Sequence, residues 1–513
     1  MKEIGFVDTT LRDGHQSLWA TRMSTAMMFP VASLIDEAGY DVVELLGQVQ
    51  ADTCVRYLRE NPWERLRIMA KAMPKTPLRV AIRGKSLTGF GIFPDSVVNL
   101  YIKRYVANGA RSLTIFDFLH NLDTFSQFIP VAKAEGLEVV VMMGYMVSPV
   151  HTDEHYQRYA CEIANRTSAD CIVLEDPMGT LTPERTRTLM PALLSAGLPV
   201  ELHAHCTIGL APLVYLEAIQ LGVTRLHTCA SPLANGSSLP SIENIIRNAR
   251  RLGYTSFIDE KKIEAISDHF RYGAKREGKP LGMVAEYDNF QFIHQVPGGM
   301  ISNFKFMLSQ RGMEHRLDEV LEEVGKVCKE FGYPIMGTPY SQIVGTQAVL
   351  NVLSGERYNV VPNETIMYML GHYGKPPGPI DQNVKDKVLS LPEAKKFLKW
   401  ELPQPSIGEL RQQYGYPGIS DDELLLRILF PQEHVDATLA AGSIKTSYPR
   451  GDKPIMALIQ ELLTKKRERT FYIHIQKGDF LLSLEKARKN NVYVSASAKN
   501  CSKDRDFWQG EVV

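Results

Sequence analysis

Val7-Asp8-Thr9-Thr10-Leu11-Arg12-Asp13-Gly14-His15-Gln16-Ser17 is the stretch from which the rest of the 513-residue chain can be read. Residues 4–9 form a short apolar run that reads as a strand. The strand pattern then breaks into a turn holding an arginine, an acid, a histidine and an amide. So dense a polar group at a strand end points to a binding site, with Asp13 as its first candidate and Gln16 as a donor to a substrate carbonyl or a closure for its own turn.

Working outward, the same strand signature recurs at residues 41–45, 78–83, 112–117, 138–143, 171–175, 200–204 and 225–228. Helix patterns lie between these runs, among them residues 96–108, 153–167 and 182–195. The last of these opens with Thr182 as an N-cap and Pro183 at the first helical position. Eight βα units predict a closed (β/α)8 TIM barrel, which carries its active site at the C-terminal strand ends. A doubly wound open sheet has the same alternation. It does not account for a polar group at the end of nearly every strand: Asp13, Glu44, Arg83, Asp117, Glu175 with Asp176, and His203 with His205.

His203-Ala204-His205 puts two imidazoles on one face of a strand, because residues i and i+2 point the same way. With Asp13 they form a two-histidine, one-carboxylate set suited to a divalent transition metal: zinc, cobalt or manganese. Without the acid, the pair would read equally well as two hydrogen-bonded histidines at a barrel mouth. Arg83 ends an otherwise apolar strand, where a guanidinium can grip a carboxylate through two parallel hydrogen bonds. The plainer alternative is an ion pair with Glu44 or Asp117. Cys206 reads as a buried structural thiol rather than a ligand. Gly298-Gly299 lacks the pattern of a phosphate loop.

Composition narrows the function classes. Lys+Arg and Asp+Glu are equal at 58 each, so no net field draws the chain to nucleic acid or anionic lipid. Seven scattered cysteines without a CxxC pair argue against a zinc knuckle or a disulfide framework and suit a reducing cytoplasm. The start, Met1-Lys2-Glu3-Ile4, runs straight into a strand pattern without a signal-peptide core. No apolar run is long enough to span a bilayer.

The organisation expected is a barrel over residues 1–300, a helical domain over 301–445, and a small segment over 446–513. The helical domain would be entered through the turn at Val296–Asn303 and would include a helix with Leu317, Val320, Leu321, Val324 and Phe331 on one face, ending at Gly332. In the last segment, residues 471–482 alternate around Lys477-Gly478-Asp479 as a β-hairpin, and residues 490–513 read as a polar, poorly packed tail.

The longer motifs carry a resemblance. They are Arg12-Asp13-Gly14-His15-Gln16-Ser17-Leu18-Trp19-Ala20-Thr21-Arg22-Met23, Asn61-Pro62-Trp63-Glu64-Arg65-Leu66, Ser148-Pro149-Val150-His151-Thr152 and Leu202-His203-Ala204-His205-Cys206-Thr207. Two more follow: His294-Gln295-Val296-Pro297-Gly298-Gly299-Met300-Ile301-Ser302-Asn303, and Thr338-Pro339-Tyr340-Ser341-Gln342-Ile343-Val344-Gly345-Thr346-Gln347-Ala348. In this order the chain resembles the biotin-dependent carboxyltransferases of pyruvate and oxaloacetate. These are the carboxyltransferase domain of pyruvate carboxylase, the oxaloacetate decarboxylase α subunit and the pyruvate-side subunit of transcarboxylase.

The resemblance implies that Asp13, His203 and His205 bind the metal. It implies that Gln16 and Arg83 hold a 2-oxoacid such as pyruvate or oxaloacetate, and that Ser302 carries a proton between enol and biotin. It also implies a homodimer, and biotin borne by a separate carrier protein, since the chain has no Met-Lys-Met biotinylation site.

Four positions depart from the family pattern. Glu175, in Leu174-Glu175-Asp176-Pro177-Met178-Gly179, replaces a carbamylated lysine that binds the metal; it offers an anionic oxygen on a shorter side chain. Phe90 stands for a tyrosine near the oxoacid. Leu239 stands for a glutamine, and Leu46-Gly47-Gln48 for Trp-Gly-Gly. The expected function is therefore metal-dependent carboxyl transfer or decarboxylation on a 2-oxoacid through an enolate. The alternatives are biotin-independent carboxyl transfer, decarboxylation or aldol-type lysis on the same metal site, and an inactive structural subunit.

Overall fold

The structure is a computed structural model that describes residues 2–310 and 312–448, and beyond them strands at 471–477, 480–486, 492–498 and 509–512. Eight parallel strands close into a barrel. They are β1 (Gly5–Asp8), β2 (Val42–Leu46), β3 (Leu78–Ile82), β4 (Ser112–Phe116), β5 (Glu138–Gly144), β6 (Cys171–Asp176), β7 (Val200–Ala204) and β8 (Arg225–Thr228). The ring closes where β1 pairs with β8, Gly5 opposite Arg225 through Asp8 opposite Thr228. All eight expected strands form, within one residue or so of their predicted ends, because β-branched residues and leucines buried on both faces leave little choice of register.

The outer helices follow from local chemistry. The helix Asp153–Arg166 starts at Thr152, whose side chain accepts a hydrogen bond from the His155 N–H. It buries Tyr156, Tyr159, Ala160 and Ile163, spaced i, i+3, i+4, i+7 along one face. Pro183–Leu194 is capped by Thr182 in the same way.

The inside of the barrel is ionic as well as apolar. Arg79 on β3 and Glu201 on β7 form a two-pronged pair at 2.5 and 3.1 Å, with Arg225 and Glu138 completing the network. Arg79 and Glu201 are essentially sealed from water, so neither charge is tolerable without the other.

The expected boundary at residue 300 falls inside a helix, Gly298–Ser309, and the chain to Thr446 forms one compact unit. The helices Leu317–Glu330 and Tyr340–Ser354 share a core with the outer ends of β4, β5 and β6. Phe118 is the wedge of that core. Its ring lies against Gly144 of β5 and against Gly337, where a methyl group at either glycine would sit inside the ring's van der Waals surface. No described helix is long and apolar enough to cross a membrane.

The second unit, Ser447–Val513, contains an antiparallel sheet of β9 (Phe471–Lys477), β10 (Phe480–Lys486), β11 (Val492–Ala498) and β12 (Gln509–Val512). The expected hairpin is β9–β10, with Lys477 opposite Phe480; its turn residues Gly478 and Asp479 lie outside the described residues. The expected tail is corrected: it supplies β11 and β12. Val492-Tyr493-Val494 carries the strand propensity that the surrounding polar residues obscured.

The Phe118 wedge sets an expected outcome for Gly337→Ala. The variant should lose about 1–3 kcal/mol of stability through overpacking, read as a lower urea midpoint with an unchanged slope. An unshifted midpoint would show that Phe118 has room to move.

Candidate metal and substrate site

The polar turn after β1 is built to hold Asp13 still. Asp8 accepts hydrogen bonds from the Thr10 N–H and hydroxyl at 3.2 and 2.5 Å, and the chain then winds through a single wide turn, Thr10–Gly14. Arg12 donates to Asp13 at 2.6 Å and forks onto Glu44 at 2.8 and 2.9 Å. Ser17 Oγ donates to the other Asp13 oxygen at 2.7 Å. Burial raises the Asp13 carboxyl, but Arg12, His205 and Ser17 more than offset it, so it is held below its ordinary range and ionised.

β7 delivers the two histidines. One ring nitrogen each from His203 and His205 and one Asp13 oxygen lie within 4.8 Å of one another. The two Nε2 atoms are 3.3 Å apart and stand 3.7 and 3.8 Å from Asp13. Their proton states follow from the hydrogen-bond network. Ser237 O lies 2.7 Å from His205 Nδ1 and, being a carbonyl, must receive a proton there; His205 Nε2 is left bare. Glu201 Oε2 likewise takes the Nε2 proton of His227 at 2.8 Å. The His227 Nδ1 lone pair then accepts from His203 Nδ1 at 3.1 Å, leaving His203 Nε2 bare as well. Burial, followed by His227, pushes His203 well below its ordinary value, so the ring is neutral. Two bare lone pairs and an ionised carboxylate converging on one point repel each other unless a cation lies between them. The donor set therefore fits a divalent ion.

Asp13, His205, Gln16, Arg83 and Glu175 all line one cavity of about 430 Å³ at the barrel mouth. Gln16 Oε1 accepts from Gln50 Nε2 at 2.8 Å, which turns its own amide N–H2 away from that contact as a donor. Arg83 is 8% exposed, and its Nε and Nη1 have no partner. Neither expected ion-pair partner takes it: Glu44 is held by Arg12, and Asp117 accepts the Tyr340 hydroxyl at 2.8 Å. Burial pulls Arg83 down to about 10, still protonated at neutral pH. A buried, charged, unpaired guanidinium is a socket for an anion.

Glu175 faces the same cavity but is not among the three groups whose ligand atoms converge. Its Oε2 is buried and unpartnered, and burial pushes its carboxyl up to about 8 against the pull of Arg12. Phe90 does not line this cavity; it lies in an exposed turn, with its carbonyl accepting from Tyr373. Ser302 falls in the helix Gly298–Ser309, and its side chain lies outside the described residues.

Two residues that single-residue reading passed over matter as much as those it named. Arg12 joins Asp13, Glu44 and the field at Glu175, and its adjacency to Asp13 in the opening motif was the available signal. His227, on β8, sets the His203 tautomer; an isolated histidine in the run Arg225-Leu226-His227-Thr228 gave no such sign.

Two outcomes follow. His227→Ala leaves all three converging groups in place yet should weaken divalent-metal affinity about 10- to 100-fold, measured by competition with a chromophoric chelator; equal affinity would separate His227 from the site. In chelator-treated protein, Glu175 is raised in the folded state, so its stabilising contribution is complete below about pH 4.5 and is lost as pH climbs toward 8. Glu175→Gln should therefore gain stability relative to the parent between pH 5 and 8, by on the order of 1–3 kcal/mol. Parallel denaturation curves across that range would contradict it.

Comparison with known proteins agrees with this geometry. Residues 292–482 match the family model described as a conserved carboxylase domain. A pyruvate carboxylase subunit of Methanocaldococcus jannaschii is 38% identical over 466 residues, covering 89% of this chain and 81% of the relative. The methylmalonyl-CoA carboxyltransferase 5S subunit of Propionibacterium freudenreichii subsp. shermanii is 33% identical, with 84% and 86% covered. In fold, the carboxyl transferase domain of Rhizobium etli pyruvate carboxylase, solved with pyruvate, superposes with a TM-score of 0.78 at 23% identity, covering 100% of this chain and 88% of that one. The chain belongs to this family of pyruvate/oxaloacetate-type carboxyltransferases and is a carboxyl-transferring enzyme.

Proposed function

We propose that the chain moves a carboxyl group onto or off a small 2-oxoacid of the pyruvate/oxaloacetate class through an enolate, with biotin on a separate carrier protein as the other carboxyl holder. The observation that carries this reading is the unpaired Arg83 guanidinium in the same cavity as the bare His205 nitrogen and Asp13. A 2-oxoacid has a carboxylate for the first and a keto oxygen for a divalent ion that His205 and Asp13 would hold. Relatives support the class: they include the pyruvate carboxylase subunit of Methanocaldococcus jannaschii and the 2-oxoglutarate carboxylase large subunit of Hydrogenobacter thermophilus.

In this reading Asp13, His203 and His205 hold the divalent ion, which supplies Lewis acidity toward the keto oxygen. Arg83 fixes the substrate carboxylate, and Gln16 donates its amide N–H to the oxygen on which negative charge grows. Glu201 and His227 keep the His203 lone pair directed at the ion. Ser302 is placed as the hydroxyl that passes the proton between enol and biotin. Glu175 adds an uncharged carboxyl to the cavity wall when protonated, and a water-bridged or direct oxygen ligand when ionised. The protein works as a homodimer in the cytoplasm.

The test uses the whole chain, a separately purified biotinyl carrier domain, and pyruvate or oxaloacetate. Carboxyl exchange should require the carrier and stop when avidin is added. Turnover indifferent to both would overturn the biotin assignment. Arg83→Met should raise KM for the oxoacid by roughly 10- to 150-fold, the worth of a charged hydrogen bond. A KM within twofold of the parent would remove Arg83 from substrate binding.

A further inference from the structure

Outside this cavity a second set of histidines converges. His120 lies in the loop after β4, His151 in the loop after β5, and His155 in the first turn of the helix Asp153–Arg166. One ring nitrogen from each lies within 4.8 Å of the other two. His120 Nδ1 and His155 Nε2 are 2.9 Å apart. His151 is 3% exposed, and its Nε2 has no partner. From these positions we infer that His120, His151 and His155 form a second metal site, taking a zinc-class divalent ion on three imidazoles.

The surroundings suit that role. Ser148 Oγ is 2.7 Å from His151 Nδ1 and also receives the backbone N–H groups of Val150 and His151 at 3.2 Å, so in the resting ring its hydroxyl donates to Nδ1. Turning that hydroxyl lets it accept Nδ1–H and leaves Nε2 to the ion, the arrangement in which ligating imidazoles are usually oriented. His120 is held with φ at +54°, a left-handed backbone that a bulky residue adopts at a cost, and its ring stacks on Tyr159 with centroids 4.5 Å apart. Two features thus fix a ring that has no part in the oxoacid cavity. Burial holds all three imidazoles below their ordinary range, so each offers a lone pair.

Loading moves one proton at His151, from Nε2 to Nδ1, and one on the line between His120 and His155. The N–H now shared between His120 and His155 must leave the line between them, and each ring then keeps its proton on the nitrogen facing away from the ion. At His155 that nitrogen is Nδ1, which now faces Arg158 at 3.3 Å. Arg158 is 68% exposed and can swing into water. Three neutral imidazoles with no carboxylate suit zinc, cobalt, nickel or copper over magnesium or calcium. His151 also borders a cavity of about 520 Å³ beside Thr152, Glu154 and Arg185, which leaves room for water or a small anion as fourth ligand.

The test is a cobalt titration of the full chain after chelator treatment, with bound metal counted by elemental analysis and followed by visible absorption. The parent should bind two ions per chain. His151→Ala and His155→Gln should each bind one and lose the same part of the cobalt spectrum. His203→Ala should also bind one and keep that part, and the pair His203→Ala with His155→Gln should bind none. Circular dichroism on each variant establishes that it is folded, and His155→Gln, at a half-buried helix end, guards against loss of the fold in His151→Ala. Two ions retained in both His151→Ala and His155→Gln would overturn the site, as would a single ion in the parent that His203→Ala removes. A single ion lost with His155→Gln and kept with His203→Ala would support this site and count instead against the one at Asp13.

Discussion

Glu201 is the residue on which the candidate metal site turns. It lies deep inside the barrel with no exposure to water, tied to Arg79 at one oxygen pair and to the His227 Nε2 proton at 2.8 Å. A carboxylate so buried is stable only because both neighbours are present. Burial raises it, and Arg79 and His227 bring it far below its ordinary range. Arg79, His227 and Arg225 thus hold it as the carboxylate. That charge decides which His227 nitrogen carries the proton, then which His203 nitrogen does, and finally that a bare lone pair faces Asp13. An ion pair that looks like ballast in the barrel floor is the far end of a proton arrangement ending at the barrel mouth.

Much of this was legible in the chain. The eight strands could be read because each is a short, β-rich run and most have a polar residue at or just past their C-terminal end; a barrel accounts for that recurrence. Asp13, His203, His205, Arg83 and Gln16 could be read because their residue types are out of place at apolar strand ends. The role of His227 was not legible, because a tautomer depends on which atoms of two neighbouring strands meet. The unpaired state of Arg83 was equally hidden: two acids of suitable sequence position, Glu44 and Asp117, were available, and only the folded geometry shows that Arg12 and Tyr340 occupy them. The tri-histidine cluster draws on two loops and a helix; His151 and His155 have the H-x3-H spacing of zinc ligands, but the distant His120 has no mark in the sequence. The strands β11 and β12 were missed for the opposite reason, since short strand runs lay among charged and polar residues.

The family likeness is unevenly spread over the cavity. The wall carrying Asp13 and Gln16 keeps its whole motif, while Glu175 and Phe90 depart from it. The structure gives the departures different weights. Phe90 does not line the cavity at all. Glu175 does, and its carboxyl is poised between charge states by burial against Arg12. A side chain whose charge depends on what enters the cavity is a different component from a permanently anionic carbamate, and it needs no dissolved CO2 for its own assembly.

The ring of Phe118 against Gly144 and Gly337 has a mechanical consequence. Barrel and helices are keyed together where the Phe118 ring meets Gly144 and Gly337, so a relative shift of the two at this point has to move that ring. If the carboxyl donor arrives on a tether, the tether's length has to span the distance from its own attachment to the barrel mouth.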